Sequence, residues 1–307
     1  MIVEKSNRSW LLLLFLLGAL QTNAQSSDGD DSHVVYNSKR KFHVGFYVGS
    51  FFTSKYTASM YDGYGFDALG TKMDFADSFM YRRINNDYGG GNGQPDLIAQ
   101  ALGVNHGDWA FQNPTDMPIN LKYNVAIMAG IQTRYCIDKK NAILFNANAS
   151  KLTVNGDFTI EIVTPTIGIQ APGTGPYRTF SLIGGERRAI LQLGYQRILG
   201  DVDKLNVFLE GGLEANMAKF DRNVININGL QIDLTTYYSL PEYATYKAKY
   251  LTGVGIGVFG GIGLNLSMSK KWTVQLVYNP SYDRINLGID PKSVLSNSIG
   301  LRGYYNL

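Results

Sequence analysis

The stretch Ile119–Asp138, INLKYNVAIMAGIQTRYCID, constrains this chain more than any other. Every second residue, Ile119, Leu121, Tyr123, Val125, Ile127, Ala129, Ile131, Thr133, Tyr135 and Ile137, is apolar or aromatic apart from Thr133. The residues between them are mostly polar or small. A period of two held this long is a β-strand with one apolar and one polar face. Soluble strands run to about 5–6 residues. A strand crossing a bilayer needs about 9–11. This one is long enough to cross and to project beyond.

The same rhythm recurs along the chain. Seven further strands are predicted, over about 42–52, 142–162, 186–199, 205–220, 248–268, 272–278 and 294–307. In the second of these the apolar parity slips at Ser150-Lys151, and a one-residue β-bulge is expected there, because each single shift swaps the faces. The connections alternate long and short, as they do in barrels with short periplasmic turns and long extracellular loops. The expected fold is therefore all-β, an eight-stranded antiparallel up-and-down transmembrane β-barrel. A soluble β-sandwich is the alternative. Strand length, loop alternation and the glycines of the sixth strand argue against it.

The N-terminus fits an exported protein. Lys5 and Arg8 precede the apolar run Trp10–Leu20, and Thr22-Asn23-Ala24 reads as a cleavage site, giving a signal peptide over 1–24. A membrane-anchoring helix is the rival reading, but the run is shorter than the about 20 residues that a span needs. Residues 25–41 are polar, carry Asp28, Asp30 and Asp31, and read as a periplasmic tail before a barrel over 42–307. Cys136 is the single cysteine. Lys plus Arg is 28 against 25 for Asp plus Glu, a balance that implies no nucleic-acid partner.

Lys41-Phe42-His43-Val44-Gly45-Phe46-Tyr47-Val48-Gly49 resembles the first strand of small outer-membrane barrels of Bacteroidota, among them the PorT-like and OmpA-like families. Ser298-Ile299-Gly300-Leu301-Arg302-Gly303-Tyr304-Tyr305-Asn306-Leu307 is similar to the terminal strand that barrel-insertion machinery reads. It departs from that pattern in ending on Leu307 and in holding Gly303 where a bulky residue is usual. Asn23-Ala24-Gln25 also looks like a cleavage region of this phylum. The resemblance implies the fold, an outer-membrane location and, through the PorT-like barrels, an association with type IX secretion. It carries over no catalytic or binding residue.

Motifs with chemistry are few. Gly255-Ile256-Gly257-Val258-Phe259-Gly260 matches a dinucleotide fingerprint, but that site needs a helix starting at the glycines. Here the period of two runs straight through, and the glycines are expected to make room for large neighbours such as Phe208 or Tyr304. Among His33, His43 and His106, only His106 stands where a catalytic base of an outer-membrane enzyme is expected. No metal-ligand spacing is present, and no cofactor is implied.

Two candidate sites remain. Glu210 and Glu214 lie on the inward parity of one strand, with Arg134 and Arg302 inward on others. Enclosed charges must be paired, so lumen ion pairs are expected, Arg302 being the foremost partner. The second site is the first extracellular loop, 53–118. It is rich in aromatics and holds a helix predicted from Pro95-Asp96 to Gly103. Those rings either pack on one another as a lid or are displayed; Tyr61, Tyr64, Trp109 and Phe111 are the expected displayed, partner-binding set. The expected function is non-enzymatic: an anchor in outer-membrane lipid whose loops bind an envelope or secretion-system protein or a surface ligand. A small-solute channel is the alternative and an enzyme the third reading.

Overall fold

The computed structural model describes residues 41–65, 71–85, 93–163, 176–200, 204–234, 252–269, 271–285 and 292–307. The expected signal peptide and almost all of the polar tail lie outside them. In chain order the strands are β1 (Phe42–Phe52), β2 (Trp109–Ala110), β3 (Ile119–Tyr123), β4 (Ala126–Cys136), β5 (Asn141–Ile162), β6 (Tyr177–Leu199), β7 (Leu205–Ile227), β8 (Leu230–Asp233), β9 (Thr252–Ser267), β10 (Trp272–Ile285) and β11 (Lys292–Asn306). Eight of them, β1, β4, β5, β6, β7, β9, β10 and β11, form a closed antiparallel ring. Closure joins the first to the last, with Val44 opposite Tyr305 and Leu307 N–H donating to Phe42 O. A closed ring leaves no unpaired edge, the condition for a sheet to stand in lipid.

The outer face supplies the rest of that condition. Phe145, Leu193, Leu213, Val258 and Tyr282 are direct partners on five successive strands, and all five are exposed. Toward the short-turn end, Trp272 and Tyr305 meet edge to face with centroids 5.2 Å apart. Aromatics at that depth form an interfacial girdle. The protein is an outer-membrane β-barrel; in barrels of this kind the short turns face the periplasm. One of those turns is set by Asp138, whose side chain accepts from Lys140 N–H at 2.7 Å and Asn141 N–H at 2.9 Å. Gly303 lies opposite Phe46, and a Cβ there would stand 3.1 Å from the Phe46 ring, so that ring covers the place of the missing side chain.

Three strands are far longer than a membrane requires. β5 has 22 residues and β6 and β7 have 23 each. About eleven surplus residues, tilted as barrel strands are, raise a wall roughly 25–30 Å above the membrane. This wall corrects the expected bulge. β5 pairs with β6 without a register shift from Asn141 to Glu161, and its even-numbered residues point inward throughout. The apolar set changes faces instead. Below Ser150 the outward residues meet lipid and are apolar; above it the inward residues Leu152, Val154, Phe158 and Ile160 are buried. The solvent has changed, not the register.

Other boundaries move for related reasons. β6 starts at Tyr177, well before the expected Glu186, because Phe180 and Leu182 point into the same apolar interior. β7 runs on to Ile227 and turns back into β8 through Asn228 and Gly229, both at positive φ, as a two-residue hairpin turn demands. Register shifts occur instead on β7, where the pairing with β6 skips Asp221, and in β3, between Ile119 and Lys122 against β5. β10 continues through Pro280, opposite Asn297 of β11, while the β9 pairing lapses beside this residue that lacks an N–H. The opening stretch is not one strand. It breaks at Asn124-Val125, so Tyr123 points inward while Ile127 points to lipid.

The first loop folds against the inside of the wall. Two helices, α1 (Phe79–Asn85) and α2 (Gln94–Leu102), are joined to it by short 3-10 turns. α2 spans the predicted helix; it ends at Gly103 in the left-handed conformation and buries Ile98, Ala99 and Leu102. Leu97, beside Ile98, is turned outward.

Candidate functional site

Two layers fill the barrel from its short-turn end to its long-loop end. The lower is polar. Arg302 on β11 reaches across the lumen with both terminal nitrogens to Glu210 on β7, Nη1 to Oε2 at 2.6 Å and Nη2 to Oε1 at 2.7 Å. Gln196 and Asn279 donate to the same carboxylate at 3.1 and 3.0 Å. Glu210 therefore accepts from four donors. Planar, bidentate Arg–carboxylate pairs of this kind are the strong form of the interaction.

The other two expected ion-pair residues have different partners. Glu214 accepts from the neutral amide of Gln192 at 2.7 Å. Arg134 donates to His43 Nδ1 at 2.7 Å and lies over the Tyr304 ring, 4.7 Å from its centroid. Strand parity placed these groups in the lumen, but it does not encode their height. The amides of Gln132, Asn146, Gln192, Gln196, Asn265 and Gln275 fill the space between the charges. Gln132, for example, donates to Asn148 at 2.7 Å, and Gln275 to Asn265 at 2.8 Å.

Bulk adds to this network. Tyr47, Phe208, Phe259 and Tyr304 are all buried in the bore. A Cβ on Gly263 would come within 2.5 Å of Phe208, and one on Gly194 within 2.6 Å of Phe259. These strand glycines are therefore the cavities that receive the rings. Gly255, Gly257 and Gly260 lie within the extended strand β9, with no helix at the fingerprint.

The junction between barrel and lid is a second buried ion pair that the sequence reading missed. Arg188 Nε donates to Glu186 Oε1 at 2.6 Å, both side chains being fully buried on β6. The second oxygen of Glu186 accepts from Tyr61 at 3.1 Å and Tyr123 at 2.9 Å. Arg188 also donates to Thr53 at 3.0 Å and Thr57 at 3.3 Å. Burial, then the neighbouring Glu186 charge, pushes the Tyr61 phenol well above its ordinary pKa, so its hydroxyl stays a donor. Two charges on the inward parity of β6 were the available signal. Their strand was expected to begin at Glu186, which hid them in a loop boundary.

The upper layer is apolar, and here the expectation for the loop is corrected. Tyr61 and Phe111 have 0% exposure and Trp109 has 8%. Tyr61 stacks on Phe220 at 5.0 Å, and Phe111 meets Phe158 edge to face at 6.4 Å. Trp109 sits in β2, paired with Ile162 at the top of β5. Tyr64 is half-buried under Lys72, whose Nζ lies 4.1 Å from its ring centre. These rings are not a displayed set. They cover the inner face of the wall, which would otherwise leave Phe158, Ile160, Leu182 and Ile225 in water. Apolar rings large enough to bind a partner are equally suited to a core, and here the core takes them.

Exposed apolar side chains at the long-loop end include Tyr56 at 63%, Val163 at 56%, Ile119 at 55% and Tyr177 at 54%. His106 is on the lid surface, its Nδ1 2.7 Å from Asp96 Oδ1, with both side chains open to solvent. The described residues hold no group of three or more His, Cys, Asp or Glu side chains placed to bind a metal.

No protein-family model matches the sequence, and no curated protein does. Among solved structures, the chain is similar to the outer membrane protein OprG from Pseudomonas aeruginosa, with TM-score 0.38 and 9% identity over 87% of this chain and 97% of that one. It is similar to Neisserial surface protein A, with TM-score 0.37 and 10% identity over 87% and 97%. A third is Ail, the attachment invasion locus protein of Yersinia pestis, with TM-score 0.29 and 7% identity over 87% and 99%. The assignment as a membrane barrel stands on the closed strand pairing and the lipid-facing surface described above.

Proposed function

We propose that this protein is a non-enzymatic, non-conducting anchor that holds a folded extracellular head for binding a partner. One observation carries the reading. The bore is filled by the Arg302–Glu210 pair, its amides and four aromatic rings, and is then capped by an apolar core shared between wall and lid. Eight strands leave an interior just wide enough for side chains, and here side chains occupy it. The chain invests its surplus length in a head. Heads of this kind serve recognition, because loops on a rigid scaffold are where binding residues concentrate.

The partner-facing surface is the outer end of the β5–β6 hairpin, with Val163 and Tyr177, together with Tyr56 at the lid's edge. The first-strand resemblance makes a protein of the cell envelope, including a type IX secretion assembly, the first class of partner to test. In-cell crosslinking from a photoreactive residue at 163 should trap one envelope protein, and adding Y56E/Y177E to the same chain should lose it while the barrel still inserts. Crosslinks that persist in the double variant would move the binding surface off this rim. In planar bilayers the purified protein should give no steady single-channel current; reproducible conductance would favour the channel reading instead.

A further inference from the structure

A row of cations crosses three neighbouring strands on the outside of the barrel. Lys151 on β5 is the direct partner of Arg187 on β6, and Arg187 of Lys219 on β7. All three are exposed. The β7 bulge adds to the cluster. Skipping Asp221 turns Arg222 outward, where a regular strand would have pointed it inward. One carboxylate lies among them: Asp221 accepts from Arg187 at 2.9 Å and lies 3.7 Å from Lys151. Four cations less one carboxylate leave +3 on a patch three strands wide. Like charges directly opposite on adjacent strands destabilise a sheet. The arrangement therefore calls for an anion from outside the chain.

The depth of the row indicates which anion. It lies one step above the last lipid-facing positions, at the level where β5 exchanges an apolar outer face for a polar one. Beneath it, Ala129, Ala149 and Ala189 are direct partners on β4, β5 and β6, followed by Met217 on β7. Three methyl side chains in line, flanked by Ile127 and Met217, form a shallow trough on the lipid face. A headgroup at the cations and an acyl chain in the trough are thus held by one surface. The cations are not a belt around the whole barrel. Toward this end, Arg284 on β10 is the outward cation described on the other five barrel strands.

We infer that Lys151, Arg187, Lys219 and Arg222 bind the phosphomonoester headgroup of an outer-leaflet lipid whose acyl chain lies along Ala129, Ala149 and Ala189. A dianionic phosphate meets both the forked guanidinium and the compact ammonium donors. Basic residues at a membrane surface are attracted to anionic headgroups.

The test is native mass spectrometry of the full chain released from phosphatidylcholine vesicles doped with phosphatidic acid or, separately, with phosphatidylglycerol. Wild type should retain phosphatidic acid at least about tenfold over phosphatidylcholine. K151Q/R187Q/K219Q/R222Q should lose that preference while keeping heat-modifiable mobility, and R284Q should keep it. A second variant, A149L/A189L, fills the trough and should weaken retention with the cations intact. Displacement by millimolar inorganic phosphate or a soluble sugar phosphate would show a site for free phosphate and overturn the lipid assignment. Equal retention of phosphatidylglycerol would reduce the patch to general anionic attraction and overturn the phosphomonoester assignment. Retention unchanged in the quadruple variant would overturn the site itself.

Discussion

Replacing Arg302 by Met should destabilise the barrel by about 3–5 kcal/mol, the cost of stranding a buried charge. The structure sets this magnitude. Both side chains are almost wholly shielded, 3% exposed for Arg302 and 0% for Glu210, and the bond is bidentate. In Arg302→Met, Glu210 keeps only the neutral donors Gln196 and Asn279. In Glu210→Met, Arg302 loses its one acidic partner in this layer. Either single change should shift the unfolding equilibrium by roughly two to three and a half powers of ten. The double variant E210M/R302M removes both charges and keeps side-chain length, so it should lie much closer to wild type than either single. The assay is urea unfolding in phospholipid vesicles, followed by tryptophan fluorescence and by heat-modifiable gel mobility. Single losses below about 1 kcal/mol that add in the double variant would show that each charge is solvated separately. The lumen would then not be the packed plug described here.

Three further outcomes follow from the geometry. Phe111→Ala should cost the head about 3–5 kcal/mol and expose the lid to proteolysis, while the barrel keeps its gel mobility, because this fully buried ring touches only the upper layer. Gly184→Val should displace the lid, because a Cβ there would lie 2.3 Å from the Tyr61 ring; loss of the Tyr61–Phe220 stack would appear as faster cleavage after Lys72 under limited trypsin. Leu193→Lys, mid-way on the lipid face, should cost about 2–4 kcal/mol. Thr179→Lys, outward on the same strand but above the membrane, should change stability by less than about 0.5 kcal/mol, and equal effects at the two positions would misplace the membrane boundary.

Period-two patterning made the eight barrel strands and their order legible, because lipid on one side and a polar lumen on the other enforce opposite faces. It failed where a third environment begins. At Ser150-Lys151 the interior turns apolar and the exterior meets water, so an unbroken strand presents the pattern of a register slip. The same change hid the first residues of β6, whose apolar positions Phe180 and Leu182 sit among glycines and polar residues. Inward parity placed Glu210 and Arg302 in the lumen. That they meet, while Glu214 takes Gln192, depends on strand stagger, which only the pairing fixes. The lid helix was readable from Pro95 and Gly103. The burial of Tyr61, Trp109 and Phe111 was not, because nothing in a loop's own sequence shows that an apolar wall stands opposite.

The wall and the lid are therefore one structural decision. A barrel strand can lengthen beyond the membrane only if its backbone stays paired and its inner face finds a cover. β5, β6 and β7 satisfy the first requirement among themselves, and β3 and β8 add pairing at either side. The second requirement falls to the first loop, the long connection that starts at the top of β1 and returns through β3 to the wall. The buried Glu186–Arg188 pair stands at the level where polar lumen gives way to apolar head. Its hydrogen bonds go to Thr53, Thr57, Tyr61 and Tyr123, all of them in or beside that loop. An ion pair left dry at such a junction is weak support for stability but strong support for register, since its partners fit in one arrangement only. The head is thereby held at one fixed height and rotation on its barrel.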